Sequence, residues 1–195
     1  MNSASVFEID KKMALLLAAV TLALAVTNVL LIDQNKRLKA YAGKTNRPLE
    51  LEPGTDLPAI EGRDADGEKL HFGYNEDARK TLLLVFSPKC GACKENMPNW
   101  QDLVKGIDAN AVRVVAVSLS PEGANEYMAQ YGFIDFPVIT EVDPATRVAY
   151  NMTVTPQTVL IDSLGKSEKV WTGLLKDEQK RDIETALGIR YQARR

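Results

Sequence analysis

The stretch MALLLAAVTLALAVTNVLLI, Met13 to Ile32, limits this chain more than any other: its 20 residues carry no charge, and only Thr21, Thr27 and Asn28 are polar. A helix rising ~1.5 Å per residue covers about 30 Å over that length, the thickness of a bilayer's hydrocarbon core. The run predicts a single transmembrane anchor and leaves the globular unit to the residues that follow. A secretory signal peptide is the rival reading, because Ala40-Tyr41-Ala42 has the small-x-small form of a cleavage site. The apolar run exceeds the about 7 to 15 residues of a signal, and Lys36, Arg37 and Lys39 separate it from that site, which favours an uncleaved anchor. Lys11 and Lys12 precede the span, whereas Lys36, Arg37, Lys39, Lys44 and Arg47 follow it. That count alone favours a cytoplasmic C-terminal domain and does not fix the side.

The expected organisation is a short tail at 1–12, the anchor at 13–32, a juxtamembrane spacer at 33–56, a folded domain at 57–188 and a C-terminal tail at 189–195. The spacer reading rests on scattered charge, Pro48, Pro53 and Gly54, with no sustained apolar period. With 26% charged and 45% hydrophobic residues the composition is that of a globular protein, and one core domain is expected. A net charge of −2 and a pI near 5.6 give no broad basic face, which sets nucleic acid aside as a partner.

Within the domain, TLLLVFS (Thr81 to Ser87) and VRVVAVSL (Val112 to Leu119) are short, β-rich apolar runs, as expected of buried strands in a partly parallel sheet. Between them Met97, Trp100, Val104 and Ile107 recur at helical spacing, predicting a helix over Ala92 to Ile107 and a βαβ unit. GANEYMAQYG reads as a short helix, FPVIT as a strand, and DPATRVAYN as a helix capped by Asp143 with Pro144 at its first position. QTVLIDSLGKSEKVWTG reads as a hairpin turning at Ser163 to Lys166, and KDEQKRDIETALG as a terminal helix stopped by Gly188.

The only two cysteines, Cys90 and Cys93, enclose Gly91 and Ala92 where the first strand gives way to the helix. This is where α/β sheets place their chemistry. Unpaired N–H groups at the helix start stabilise a thiolate on Cys90, and Cys93, one turn deeper, is placed to attack a mixed disulfide. Gly91 and Ala92 leave room for a docking partner, while Lys89 and Lys94 are expected to favour the thiolate further. Half of a zinc site has the same spacing, but there is no third cysteine and His71 is the only histidine. Two inert buried thiols would explain neither spacing nor position.

Pro98 falls inside the predicted helix, and Thr155-Pro156 stands immediately before a strand, where proline belongs in a turn. Taken together, the strand, Cys90-x-x-Cys93, Pro98 and the distant Val154-Thr155-Pro156 before TVLID resemble the thioredoxin superfamily. The anchor and the segment from Pro121 to Asp143 make the chain similar to the membrane-anchored TlpA/ResA-type thiol-disulfide oxidoreductases. The resemblance implies an α/β thioredoxin-like fold, a central mixed sheet flanked by helices, behind a single transmembrane helix. It implies Cys90 as nucleophile, Cys93 as resolving cysteine, and Pro156 as a cis-proline against the disulfide. It also implies Thr155 as a backbone site for an extended partner chain, flanked by Lys89, Gly91 and Ala92. The implied partners are protein thiols and disulfides and an upstream redox protein; no cofactor and no metal are implied, and the domain is expected outside the cytoplasm, in the periplasm or its equivalent.

Departures are visible. Lys89 stands where many relatives have Trp, and Asn96 where members of the group often carry Glu, with Glu95 one place earlier. A proton-shuttling carboxylate is therefore unassigned. A peroxiredoxin-like peroxidase is a rival function, since Ser87-x-x-Cys90 matches part of a peroxidatic pattern, although Leu83 stands where its proline is expected. A copper metallochaperone using Cys90, Cys93 and His71 is a third. Trp100 and Trp171 are expected in packing roles.

Overall fold

A computed structural model describes residues 11–45, 51–75, 78–133 and 135–189. The tail expected at 1–12 lies outside the described residues as far as residue 10, and that at 189–195 from residue 190 on. The chain divides into two units, Met1–Arg47 and Pro48–Arg195.

In the first unit α1 runs from Lys11 to Thr45. It contains the one candidate membrane span among the described residues, Met13–Ile32, with a mean hydropathy of 2.6. The three polar side chains of the span donate to the helix's own backbone. Thr21 Oγ1 donates to Leu17 O (3.0 Å), Thr27 Oγ1 to Ala23 O (2.8 Å) and Asn28 Nδ2 to Leu24 O (3.1 Å). Each bond reaches back one turn, so both threonine hydroxyls and one Asn28 N–H find an acceptor without water, as suits a lipid-facing helix. The helix begins at Lys11, inside the expected tail, and continues past Ile32 through the first half of the expected spacer, because nothing before Pro48 breaks it.

The second unit is built on a five-stranded sheet in the order β5-β4-β3-β7-β8. Its strands are β3 (Lys80–Phe86), β4 (Val112–Ser118), β5 (Val138–Ile139), β7 (Gln157–Ile161) and β8 (Ser167–Thr172). β3 pairs parallel with β4 and antiparallel with β7, which makes the sheet mixed. A three-stranded antiparallel sheet joins β1 (Ile60–Arg63) to β2 (Lys69–Phe72) and to β6 (Glu141–Val142). The chain from Val138 to Val142 serves both sheets: Val138 and Ile139 pair with β4, Gly62 and Arg63 receive β6. Gly62 is required there, since a Cβ would stand 2.6 Å from Glu141 O.

Residues of β3 alternate between two cores. Leu82, Leu84 and Phe86 pack with Cys93, Met97 and Trp100 of α2 (Gly91–Lys105). Leu83 and Val85 pack with Tyr150 and Met152 on the other face. Period-two alternation with both faces apolar is what makes TLLLVF a continuous hydrophobic run. The remaining helices are α3 (Ala124–Gln130), α4 (Pro144–Ala149) and α5 (Asp177–Leu187). Asp143 caps α4 through Oδ1, accepting from Ala145 N at 2.8 Å, and Gly188 ends α5 in the left-handed region at φ 65°. Trp171 Nε1 donates to Asp182 Oδ2 at 2.9 Å and ties β8 to α5.

Part of the expected spacer packs on the domain: Leu51 is buried, and the residues after it dock on the start of β8. Gly54 N donates to Ser167 O (2.6 Å), Thr55 N to Ser167 Oγ (3.0 Å), and Ser167 Oγ to Glu52 O (2.8 Å). Polar, proline-containing sequence hid a segment whose order comes from distant backbone partners.

Candidate active site

β3 delivers the chain to Ser87, and the turn that follows sets Cys90 as the N-cap of α2, with extended φ and ψ of −92° and 113°. Cys90 N donates to Ser87 O at 3.0 Å, which fixes the turn. An N-cap side chain accepts from the first-turn N–H groups, and here the acceptor is sulfur: Cys93 N donates to Cys90 Sγ at 3.1 Å. Cys90 is partly exposed, whereas Cys93 is buried in the core under α2. The helix begins at Gly91, one residue before the sequence reading put it.

The two thiols are displaced in opposite directions. Burial raises Cys90, but contacts from the Cys93 thiol and Thr155 and the N–H groups of Cys93 and Ala92 outweigh it, and the net shift is downward. Burial, then the hydrogen bond to Cys90, pushes Cys93 up to about 12. The pair thus consists of one ionisable sulfur near the surface and one protonated sulfur beneath it. The lysines contribute differently from expectation. Lys89 Nζ is held by Glu122 Oε2 at 2.6 Å in an exposed pair, and hydrogen bonds rather than lysine charge lower Cys90.

The Thr155–Pro156 peptide is cis, and Cys90 Sγ donates to Thr155 O at 3.5 Å. Two segments separated by more than sixty positions in the chain meet at this contact, |i−j| being 65. Pro156 O accepts from Gly173 N at 2.8 Å, so the turn is braced by the end of β8. Pro156 lies just before β7, where its missing N–H costs no ladder bond. Gly91 and Ala92 are exposed beside Cys90.

Pro98 sits within α2 without ending it. Asn96 is fully buried; its Oδ1 accepts from Leu175 N (3.0 Å) and Asn99 Nδ2 (3.1 Å), while Glu95 is exposed. Trp100 is buried and donates from Nε1 to Thr158 Oγ1 at 2.9 Å. His71 is not brought to the cysteines by any recorded contact. It lies on β2 with Nδ1 3.1 Å from Glu61 Oε1, and among the described residues no group of three His, Cys, Asp or Glu side chains could hold a metal.

Sequence reasoning missed Glu122 and Tyr127. Tyr127, on α3, stacks on Phe86 with ring centroids 5.7 Å apart and an interplanar angle of 13°. Nothing in GANEYMAQYG announces either contact.

A mixed sheet, a dithiol at the head of its central helix and a cis Thr155–Pro156 peptide whose Thr155 carbonyl meets the outer sulfur define a thioredoxin-like redox protein. Residues 53–170 match the AhpC/TSA family, well over half of the chain, and the protein belongs to that family. It is 27% identical over 144 residues to the thiol-disulfide oxidoreductase ResA of Bacillus subtilis (strain 168), covering 73% of this chain and 77% of that one. Its fold is similar to the thioredoxin domain of a thiol-disulfide oxidoreductase from Bacteroides vulgatus, at a TM-score of 0.56 and 17% identity, covering 71% of this chain and 99% of the other. It is equally similar to a peroxiredoxin-like protein from Aquifex aeolicus, at a TM-score of 0.56 and 16% identity, covering 70% and 88%.

Proposed function

We propose that this protein is a membrane-anchored thiol-disulfide oxidoreductase that exchanges disulfides with protein cysteines. The observation that carries this reading is the asymmetry of the pair: Cys90 partly exposed and shifted towards thiolate, Cys93 buried and held protonated one turn below. Cys90 S⁻ attacks one sulfur of a partner disulfide; a Cys90–partner bond forms, the partner's internal bond breaks, and its second sulfur leaves as thiolate. Cys93 then attacks Cys90 Sγ, the Cys90–Cys93 disulfide forms, and the first partner sulfur departs. Oxidation of a dithiol substrate is the same sequence reversed.

Thr155 offers backbone groups to an extended partner chain beside the reacting sulfur, Pro156 packs at the disulfide, and Lys89, Gly91 and Ala92 form the rim of the docking face. The chemistry uses sulfur alone and no resident cofactor. α1 anchors the protein, and the domain works outside the cytoplasm, in the periplasm or its equivalent, fed by an upstream redox partner. A large domain is translocated despite the basic residues that follow the span.

Family membership and the Aquifex likeness keep a peroxidase reading in view, and one experiment separates the two. Cys93→Ser is expected to trap covalent adducts with cysteine-containing proteins through Cys90, released by dithiothreitol. Catalytic peroxide consumption that survives Cys93→Ser, with no adduct, would replace the exchange reading.

A further inference from the structure

The reacting sulfurs stand on α2, whereas the carbonyl that meets Cys90, Thr155 O, belongs to a separate turn. Contacts elsewhere have to keep the two in register. Pro156 O accepts from Gly173 N at 2.8 Å, so the far side of the turn is tied to the segment between β8 and α5. That segment reverses at Gly173, whose φ of 86° lies in the left-handed region. Two residues on, Leu175 is buried and its backbone returns to α2. Leu175 N donates to Asn96 Oδ1 at 3.0 Å, and Leu175 O accepts from Asn99 Nδ2 at 3.4 Å. Asn99 Nδ2 also donates to Asn96 Oδ1 at 3.1 Å. Two amides one turn apart thus grip both backbone groups of a single residue.

These contacts close a circuit. It runs from Cys90 Sγ to Thr155 O (3.5 Å), through the peptide to Pro156 O, across to Gly173 N, along to Leu175 N, and across again to Asn96 Oδ1. There it rejoins the helix that carries Cys90 as its cap and Cys93 in its first turn. Asn96 shares the buried face of α2 with Cys93, one turn further along. A second tie between α2 and β7, Trp100 Nε1 to Thr158 Oγ1 at 2.9 Å, bypasses the segment from Gly173 to Leu175. Asn96 is fully buried, and its Nδ2 has no hydrogen-bond partner. Leucine would fill nearly the same volume without leaving that donor unpaired, so the amide is there for its acceptor.

Resting on the exchange reading above, we propose that Asn96 is a positioning residue: with Asn99 beside it, it grips Leu175 and so holds the Thr155–Pro156 turn at a fixed distance from the helix that carries both sulfurs. A partner protein meets both parts at once. Its sulfur has to reach Cys90 on α2 while its backbone lies along Thr155 on the turn, and the attack is productive only when the two contacts fit one geometry. Were the turn to drift from α2, a docked chain would hold its disulfide away from Cys90. A small free disulfide, which uses the sulfur alone, would react as before. Asn96 touches neither the partner nor the reacting atoms; it acts through Leu175, Gly173 and Pro156.

The test oxidises the reduced full chain in detergent with insulin and, separately, with 5,5′-dithiobis(2-nitrobenzoate), and reads the ratio of the two second-order rates at Cys90. Asn96→Leu keeps the volume, removes the acceptor and is expected to lower the ratio of insulin to small-disulfide rate about tenfold. Asn99→Ala opens the other half of the grip at a half-buried position and is expected to lower the ratio about threefold. Asn96→Asp keeps an acceptor oxygen in the same place and is expected to restore the wild-type ratio. Thr158→Val cuts the tie that bypasses the circuit; it is expected to lower the melting temperature and leave the ratio unchanged. A wild-type ratio in Asn96→Leu or in Asn99→Ala overturns the proposal, as does an Asn96→Asp chain that loses the ratio as fully as Asn96→Leu. A Thr158→Val chain whose ratio falls as far also overturns it and assigns Asn96 to packing. A wild-type chain in which neither reagent produces a Cys90–Cys93 disulfide overturns the exchange reading itself.

Discussion

Where β3 and β4 begin, the polar side chains are paired; where β3 delivers the chain to Cys90, several buried polar atoms are not. At the first end Arg113, opposite Thr81 in the ladder, donates to Thr81 Oγ1 at 2.8 Å and to Gly73 O at 2.6 Å. Its guanidinium lies over the rings of Phe72 and Tyr74, 5.7 and 5.4 Å from their centroids. The Tyr74 and Tyr150 hydroxyls bond each other, and Tyr150 donates to Pro58 O. At the second end lie the four buried side-chain atoms left without a partner among the described residues: Tyr127 Oη, Asn96 Nδ2, Gln157 Oε1 and Thr172 Oγ1. Gln157, directly after the cis-proline, stands opposite both Val85 near the end of β3 and Thr172 at the end of β8. One end fastens the small sheet to the large one. The other leaves polar atoms uncommitted where sulfur changes charge during turnover, a local cost that functional sites carry and the rest of the fold offsets.

Three measurements can break or sharpen this contrast. The largest effect is expected between the two sulfurs. Limited iodoacetamide treatment at pH 7, read by peptide mass spectrometry, should modify Cys90 at least about a hundredfold faster than Cys93. Because the thiolate is the reacting form and Cys90 is shifted down from 9.0, its rate should rise with pH through a midpoint below 9. Equal labelling would erase the asymmetry on which the site depends. Next, Arg113→Met at the paired end should cost roughly 2–3 kcal/mol in urea unfolding, with Cys90 alkylation unchanged. A mutant that keeps full stability but alkylates differently would mean that the two ends do not divide the work. The smallest effect is expected from Thr172→Val. Removing an orphaned hydroxyl at nearly constant volume should be neutral or stabilising by up to about 1 kcal/mol. A clear loss of stability would show that this hydroxyl is already paired.

Much of this was readable along the chain. TLLLVF and VRVVAV announced buried strands, Asp143-Pro144 a helix start, Ser163 to Lys166 a hairpin turn, and the residues around Cys90 a strand-to-helix junction. Each is a local signal, written in periodicity or in residues with one conformational use. What escaped was decided across long separations. Lys89 was expected to charge-stabilise the thiolate, but Glu122, 33 positions on, pairs with it. Leu51 to Asp56 were expected to be spacer, but Ser167 collects their backbone. Tyr127 gave no signal, because helical spacing places it on α3 without saying that Phe86 lies beneath it.

By itself the sequence determined an apolar helix, a mixed α/β domain and two sulfurs one turn apart, since these follow from hydrophobic period, turn chemistry and spacing. Only tertiary packing decided how completely Cys93 is buried, that Thr155 O meets Cys90, and that Glu122 holds Lys89. Those outcomes depend on desolvation and on distances through space, and no pattern of neighbours along the chain encodes either.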